Sequence, residues 1–282
     1  MSVIQALVLG FVQGLTEFLP ISSSGHLILV PWLFNWQYLL QHPDFNKTFD
    51  VALHMGTFIA VLAYFWRDVV RLLRAWGGSI ARRSIRTPEE RLAWLLLVST
   101  IPAGFFGVAF ESFVEDRLGK PYLIAIFMFV FALIMWAADR YARLERGTEQ
   151  AGWLDAVLIG LAQAIALAPG VSRSGITMVT GMLRGFTRSA AARYSFLLSI
   201  PVVGGAAIYK AVQVAHKGLP AGAGTPFAVG MAAAAVSGFA AVWFLLAYLR
   251  RHDFRPFVIY RIVVAVAVLI IIAAGLRAGG GF

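Results

Sequence analysis

Two stretches of this chain, 150 positions apart, interrupt an apolar helix with the same polar turn. That duplication restricts the fold more than any other feature. Ala6-Leu7-Val8-Leu9-Gly10-Phe11-Val12-Gln13 aligns without gaps on Ala156-Val157-Leu158-Ile159-Gly160-Leu161-Ala162-Gln163. In the same register Ser22-Ser23-Ser24-Gly25 falls on Ser172-Arg173-Ser174-Gly175. Each copy reads as an apolar helix carrying one Gln and then a break, at Pro20 or at Pro169-Gly170. A Ser-x-Ser-Gly turn then opens a second apolar run. Internal repeats built on broken helices point to a site near the middle of a bilayer.

The first break is unusually polar. Glu17, Ser22, Ser23, Ser24 and His26 fall within ten residues of an otherwise apolar N-terminus. A carboxylate at membrane depth costs roughly 2.5–3.5 kcal/mol on insertion scales, so an acid there is expected to be functional. Composition supplies the membrane. The chain is 60% hydrophobic and only 13% charged, about half the charge of an ordinary soluble domain. With no cysteine, disulfide and thiolate chemistry are excluded. The net charge of +10 lies mostly in loops between apolar runs, where topology and anionic lipid account for it and nucleic acid is not expected. The first Lys or Arg is Lys47. A cleavable signal would need an earlier basic region, so none is expected, and nothing holds the N-terminus in the cytoplasm.

Charge and run length then predict the topology. Residues 2–17 are too few to cross a core that needs about 20 residues. Pro20 removes a backbone donor, and Ser22 to Ser24 can cap a helix starting near Gly25. With the apolar run 26–40, this predicts a re-entrant hairpin. A polar loop from Gln41 to Asp50 precedes a span over 51–66, and the loop over 67–91 carries seven arginines, Arg67 through Arg91. It is cytoplasmic by the positive-inside rule. Spans over 92–110 and 122–138 flank an acidic outer loop with Glu111, Glu115 and Asp116. A second hairpin, 154–168 and 175–186, has basic residues on both sides. Spans near 194–212, 226–249 and 258–276 follow, with Arg250, Arg251 and Arg255 in a cytoplasmic turn. The expected fold is an all-α polytopic membrane protein with an inverted-topology repeat, about 1–138 and 151–276. Each half holds one re-entrant helical hairpin and three transmembrane helices. Both termini lie outside.

If the breaks meet, their turns form one site. One supplies Glu17, Ser22, Ser23, Ser24 and His26, and the other Ser172, Arg173, Ser174 and Thr177. Two helix N-termini and a guanidinium fork favour a phosphate or diphosphate. Gln13 and Glu17, one turn apart, can both ligate a hard divalent cation, Mg²⁺ or Ca²⁺. His26 suits general acid–base chemistry or attack on phosphorus. His54 reads as a histidine packed on an apolar face and Asp50 as a loop-end cap. There is no P-loop, dinucleotide fingerprint, zinc-type cluster or DNA-binding pattern.

Gln13-Gly14-Leu15-Thr16-Glu17-Phe18-Leu19-Pro20, with Ser22-Ser23-Ser24-Gly25-His26, resembles the (E/Q)xxxE-containing motif of the bacterial undecaprenyl-diphosphate phosphatase family, also associated with bacitracin resistance. Pro169-Gly170-Val171-Ser172-Arg173-Ser174-Gly175-Ile176-Thr177 resembles its PGxSRSxxT motif. The similarity runs over the whole chain, Phe49-Asp50 and the Pro256–Arg261 region included. It implies a multi-pass enzyme of the bacterial inner membrane. That enzyme takes the terminal phosphate from undecaprenyl diphosphate, recycles the lipid carrier of peptidoglycan synthesis and uses a divalent cation. The resemblance makes Glu17 and Gln13 the acidic-motif pair with Ser22, Ser23 and His26 beside them, and gives diphosphate binding to Ser172, Arg173, Ser174 and Thr177. The first motif position is Gln13 rather than Glu. Catalysis is assigned to Glu17, Ser23, His26 and Arg173, substrate binding to Ser22, Ser24, Ser172, Ser174 and Thr177, and metal to Glu17 and Gln13, with the site facing the periplasm. Membrane phosphatases of the acid-phosphatase type share a Ser-Gly-His element, but their Lys-x₆-Arg-Pro and second His-x₃-Asp are missing here. The rival class is a polyprenyl-phosphate flippase or anion transporter. It needs Arg and helix ends but no acid–histidine pair beside serines. The pattern leaves the nucleophile open among His, Ser and water, and leaves a homodimer open.

Overall fold

A computed structural model describes residues 1–113, 117–217 and 224–279, without the side chains of 43–44, 111–113 and 207–217. Helices run in the order α1 Val3–Phe18, α2 Ser23–Leu33, α3 Gln37–Gln41, α4 Pro43–Arg82, α5 Pro88–Phe113, α6 Pro121–Tyr141, α7 Trp153–Ile165, α8 Arg173–Leu183, α9 Arg188–Lys217, α10 Gly224–Tyr248 and α11 Arg255–Ala273. Among the described residues there is no β-strand, only an isolated bridge between Arg146 and Phe186. Among the described residues, five stretches are long and apolar enough to cross a membrane: Phe45–Arg82, Pro88–Phe110, Pro121–Tyr141, Gly224–Tyr248 and Arg255–Ala273. The chain is a multi-pass membrane protein. Helices α1 and α7, with 16 and 13 residues, are shorter.

Two loops expected from charge are helical. Helix α4 begins at Pro43 and continues to Arg82 over 40 residues, bending where Phe65 leaves helical geometry (φ −98°, ψ 16°). Loss of hydropathy ends a span but not a helix. Arg, Leu and Ala beyond Trp66 are good helix formers, and α4 stops only where Arg83 turns left-handed at φ 53°. The expected acidic loop at Glu111, Glu115 and Asp116 lies outside the described residues and side chains.

Packing follows a cross-wise scheme. Helix α1 lies against α10 and α7 against α5, while α4 pairs with α9 and with α10, and α6 with α11. The α1–α10 contact is close enough to demand glycine. A Cβ on Gly14 would stand 2.0 Å from Ser237 Oγ and 2.6 Å from the Ala234 carbonyl oxygen. With lipid as apolar as any core, van der Waals contact between closely approaching backbones is what holds such helices together. Phe18, Phe65, Phe196 and Met135 belong to the largest buried cluster, which packs around both hairpins. The base of the second hairpin is tied down by Asp155, third residue of α7. It accepts from Arg146 and from Arg184, each at 2.7 Å, and from the Gly152 amide at 2.9 Å.

Candidate active site

The two breaks have the same backbone. Ser22 (φ 77°, ψ 96°) and Ser172 (φ 78°, ψ 111°) are both left-handed N-caps, accepting from the Gly25 and Gly175 amides at 3.3 and 3.1 Å. A positive φ at a non-glycine residue stores about 1–3 kcal/mol, and such residues cluster at functional sites. The turns also bond to each other. Ser22 Oγ accepts from the Gly170 amide at 3.0 Å, and Ser174 Oγ donates to the Leu19 carbonyl at 3.2 Å. Gly170 has φ +102°, and a Cβ there would meet the Ile124 carbonyl oxygen at 2.6 Å. From α11, the fully buried Arg261 donates to the Pro20, Gly170 and Met128 carbonyls at 3.2, 2.7 and 3.2 Å. Its bonds go to carbonyls only, so its charge adds to the positive side of the site.

This junction brings the second helix of each hairpin to one carboxylate. Ser23 and Arg173 occupy equivalent first positions of α2 and α8. Glu17, 7% exposed, accepts from Arg173 Nη2 through Oε1 at 2.6 Å, and from Ser23 Oγ through Oε2 at 2.6 Å. Gln13 Nε2 donates to Oε2 at 3.2 Å. The expected set of Gln13, Glu17, Ser23 and Arg173 is therefore in direct contact. Ser22, Ser172 and Ser174 shape and link the turns. Thr177 stands behind Arg173, its hydroxyl 2.7 Å from Ser195 Oγ, while the Ser195 carbonyl takes Arg173 Nη1 at 3.4 Å. Ser24 is exposed and bonds only weakly to Ser22, at 3.4 Å. His26 faces elsewhere: Nδ1 donates to the Ser22 carbonyl at 2.6 Å, and Nε2 meets the Tyr260 hydroxyl at 2.8 Å.

His54 does not sit on an inert apolar face. Its Nε2 stands 3.9 Å from Glu17 Oε2, with the side chain 37% exposed, because its Nδ1 donates to the Asp50 carbonyl at 2.7 Å and fixes the ring. Asp50 itself lies inside α4, not at a loop end. Sequence reasoning also missed Ser195 and Tyr260. Ser195 carries no local signal, and Tyr260, though inside the Pro256–Arg261 stretch, has nothing in its neighbourhood to mark it as a partner of His26 across 234 positions.

For a divalent cation the donor set is small but suitable. Gln13 Oε1 is buried without a hydrogen-bond partner beside the Glu17 carboxylate. A flip of the amide, whose two ends are nearly alike in shape, turns that oxygen toward Glu17. The described residues hold no group of three or more His, Asp or Glu able to cage an ion. Ligation at Glu17 and Gln13 therefore suits an ion completed by water and substrate oxygens, the usual habit of Mg²⁺.

Fold and site together define a polytopic, all-helical membrane protein with a buried acid, arginine and serine where two broken helices meet. The family model described as bacitracin resistance protein BacA matches residues 6–267, and the chain belongs to that family. A relative from Pelobacter propionicus, named undecaprenyl-diphosphatase, is 44% identical over 277 residues, 98% of this chain and 99% of its own length. Proteins of the same name from Moorella thermoacetica and Thermomicrobium roseum are 47% and 42% identical, over 95% and 97% of this chain and 97% and 99% of their own.

Proposed function

We propose that this protein is an undecaprenyl-diphosphate phosphatase of the bacterial inner membrane. It hydrolyses the lipid diphosphate to undecaprenyl phosphate and inorganic phosphate, and so returns the lipid carrier to peptidoglycan synthesis. The observation that carries the reading is the 2.6 Å pair between Glu17 and Arg173, one from each broken helix, with a serine hydroxyl on the other carboxylate oxygen. An incoming diphosphate competes with Glu17 for the Arg173 fork, which matches phosphate oxygens better than a point charge does. Release from Arg173 frees Glu17 to take the proton of Ser23 Oγ, and a hydroxyl 2.6 Å from a base is the signature of an activated nucleophile. The Ser23 oxygen then attacks the terminal phosphorus, and undecaprenyl phosphate leaves as the anion. Water later hydrolyses the phosphoserine. Arg173 and the N-termini of α2 and α8 balance the charge gathering on the phosphoryl oxygens. Glu17 and Gln13 would hold the divalent cation, which supplies further positive charge against those oxygens.

The inverted-topology reading is part of the proposal, with repeats over about 1–138 and 151–276 and α1–α2 and α7–α8 as re-entrant hairpins. Its support is the cross-wise packing of α1 on α10 and α7 on α5, and the matched turns at Ser22 and Ser172. Basic segments at 67–91, 139–149 and 250–255 argue for a cytoplasmic position, which leaves both termini outside and the site open to the periplasm.

Purified protein in detergent, given a polyprenyl diphosphate, should release inorganic phosphate with no second compartment present. A transporter would release none, and that outcome would sink the reading.

A further inference from the structure

We infer that Tyr260 is a positioning residue for the reaction and acts through His26, which braces the Ser22 turn that presents Ser23 to Glu17; the inference rests on the phosphatase reading above. A carbonyl oxygen can only accept, so the 2.6 Å contact between His26 Nδ1 and the Ser22 carbonyl sets the proton on Nδ1. In the neutral ring Nε2 then carries a lone pair, and the Tyr260 hydroxyl at 2.8 Å is its donor. The rings lie nearly parallel, with centroids 5.6 Å apart and planes at 14°, which fixes the imidazole plane as well as its tautomer. Arg261, next to Tyr260 on α11, is the charged neighbour of His26, and its guanidinium binds the carbonyls of both breaks. Helix α11 thus delivers two adjacent side chains to the junction, one holding the breaks and one holding His26.

Two consequences follow. Nε2 is not free to attack phosphorus unless the Tyr260 bond is given up, which leaves Ser23 as the hydroxyl with a base already in contact. His26 is also linked through Tyr260, 40% exposed, from the buried junction to the exposed surface of α11.

The test uses the full-length protein in detergent. Tyr260→Phe keeps the ring and removes only the hydroxyl. It should lower kcat about tenfold, as the loss of one hydrogen bond does, with KM unchanged. The same substitution in a His26→Gln background should cost nothing further. In protein labelled with ¹⁵N at its five histidines, the His26 signals, assigned by their loss in His26→Gln, should report Nδ1 protonated and Nε2 accepting. Tyr260→Phe should move the Nε2 resonance. Unmoved nitrogen shifts, or an equal loss of kcat in both backgrounds, overturns the inference. Wild-type protein that releases no phosphate counts against the phosphatase reading instead, and the nitrogen shifts still decide the role of Tyr260.

Discussion

At the scale of single residues, Glu17 and Arg173 hold each other, so removing one leaves a buried charge unpaired. Breaking such a pair costs about 3–5 kcal/mol of stability where the partner cannot relax. The informative substitution is therefore Arg173→Lys, which keeps charge and loses the fork. Phosphate release should fall on the order of 10²–10³-fold while the thermal midpoint in detergent stays close to wild type. Near-normal turnover by Arg173→Lys would remove the bidentate contact from the mechanism. For Glu17, metal ligation and base catalysis give different dose curves. If Glu17 ligates as well as acting as the base, Glu17→Gln should collapse kcat and also shift the residual rate to a higher Mg²⁺ or Ca²⁺ concentration for half-maximal activity. An unchanged metal midpoint with collapsed kcat leaves Glu17 as the base alone, and a wild type indifferent to chelators would remove the cation.

At the scale of the elements, the site depends on two turns that a helix would not form by itself. Gly170 is needed for its positive φ and for its approach to the Ile124 carbonyl at α6. Gly170→Ala should therefore destabilise by about 1–3 kcal/mol and lower activity in proportion, since the amide of residue 170 also bonds Ser22. Measured by thermal scans in detergent, an unshifted midpoint would show that the second break tolerates a side chain. The hairpins also differ at their bases. Hairpin two is anchored by Asp155 between Arg146 and Arg184, where hairpin one has the reciprocal Ser2–Gln5 cap and bonds from the C-terminal segment, Trp32 Nε1 to the Ala278 carbonyl and Arg277 to the Leu33 carbonyl.

At the scale of the whole molecule, the matched hairpins demand a definite sidedness. Cysteines at Ser2 and at Leu276 should both react with an impermeant thiol reagent on intact spheroplasts. Protection of either until the membrane is opened would overturn the inverted repeat, although the pairing of α1 with α10 and of α7 with α5 would stand.

What the sequence by itself determined was local: runs of apolar residues, breaks at Pro20 and Pro169-Gly170, serine caps, and arginines between spans. Local features suffice there because helix length, capping and bilayer insertion each depend on neighbours a few residues away. They put Gln13, Glu17, Ser23 and Arg173 in one site only on the condition that the two breaks meet, and the Glu17–Arg173 contact meets that condition. They missed the length of α4, because hydropathy ends at Trp66 while helix propensity does not. Tertiary structure alone decided the partners. Arg173 reaches Glu17 across 156 positions and Tyr260 reaches His26 across 234. His54, dismissed as packing, faces the carboxylate because α4 lies against α1 and Asp50 fixes its ring. Which imidazole nitrogen carries the proton and which partner holds each carboxylate oxygen follow from how the helices pack, and no spacing along the chain records that.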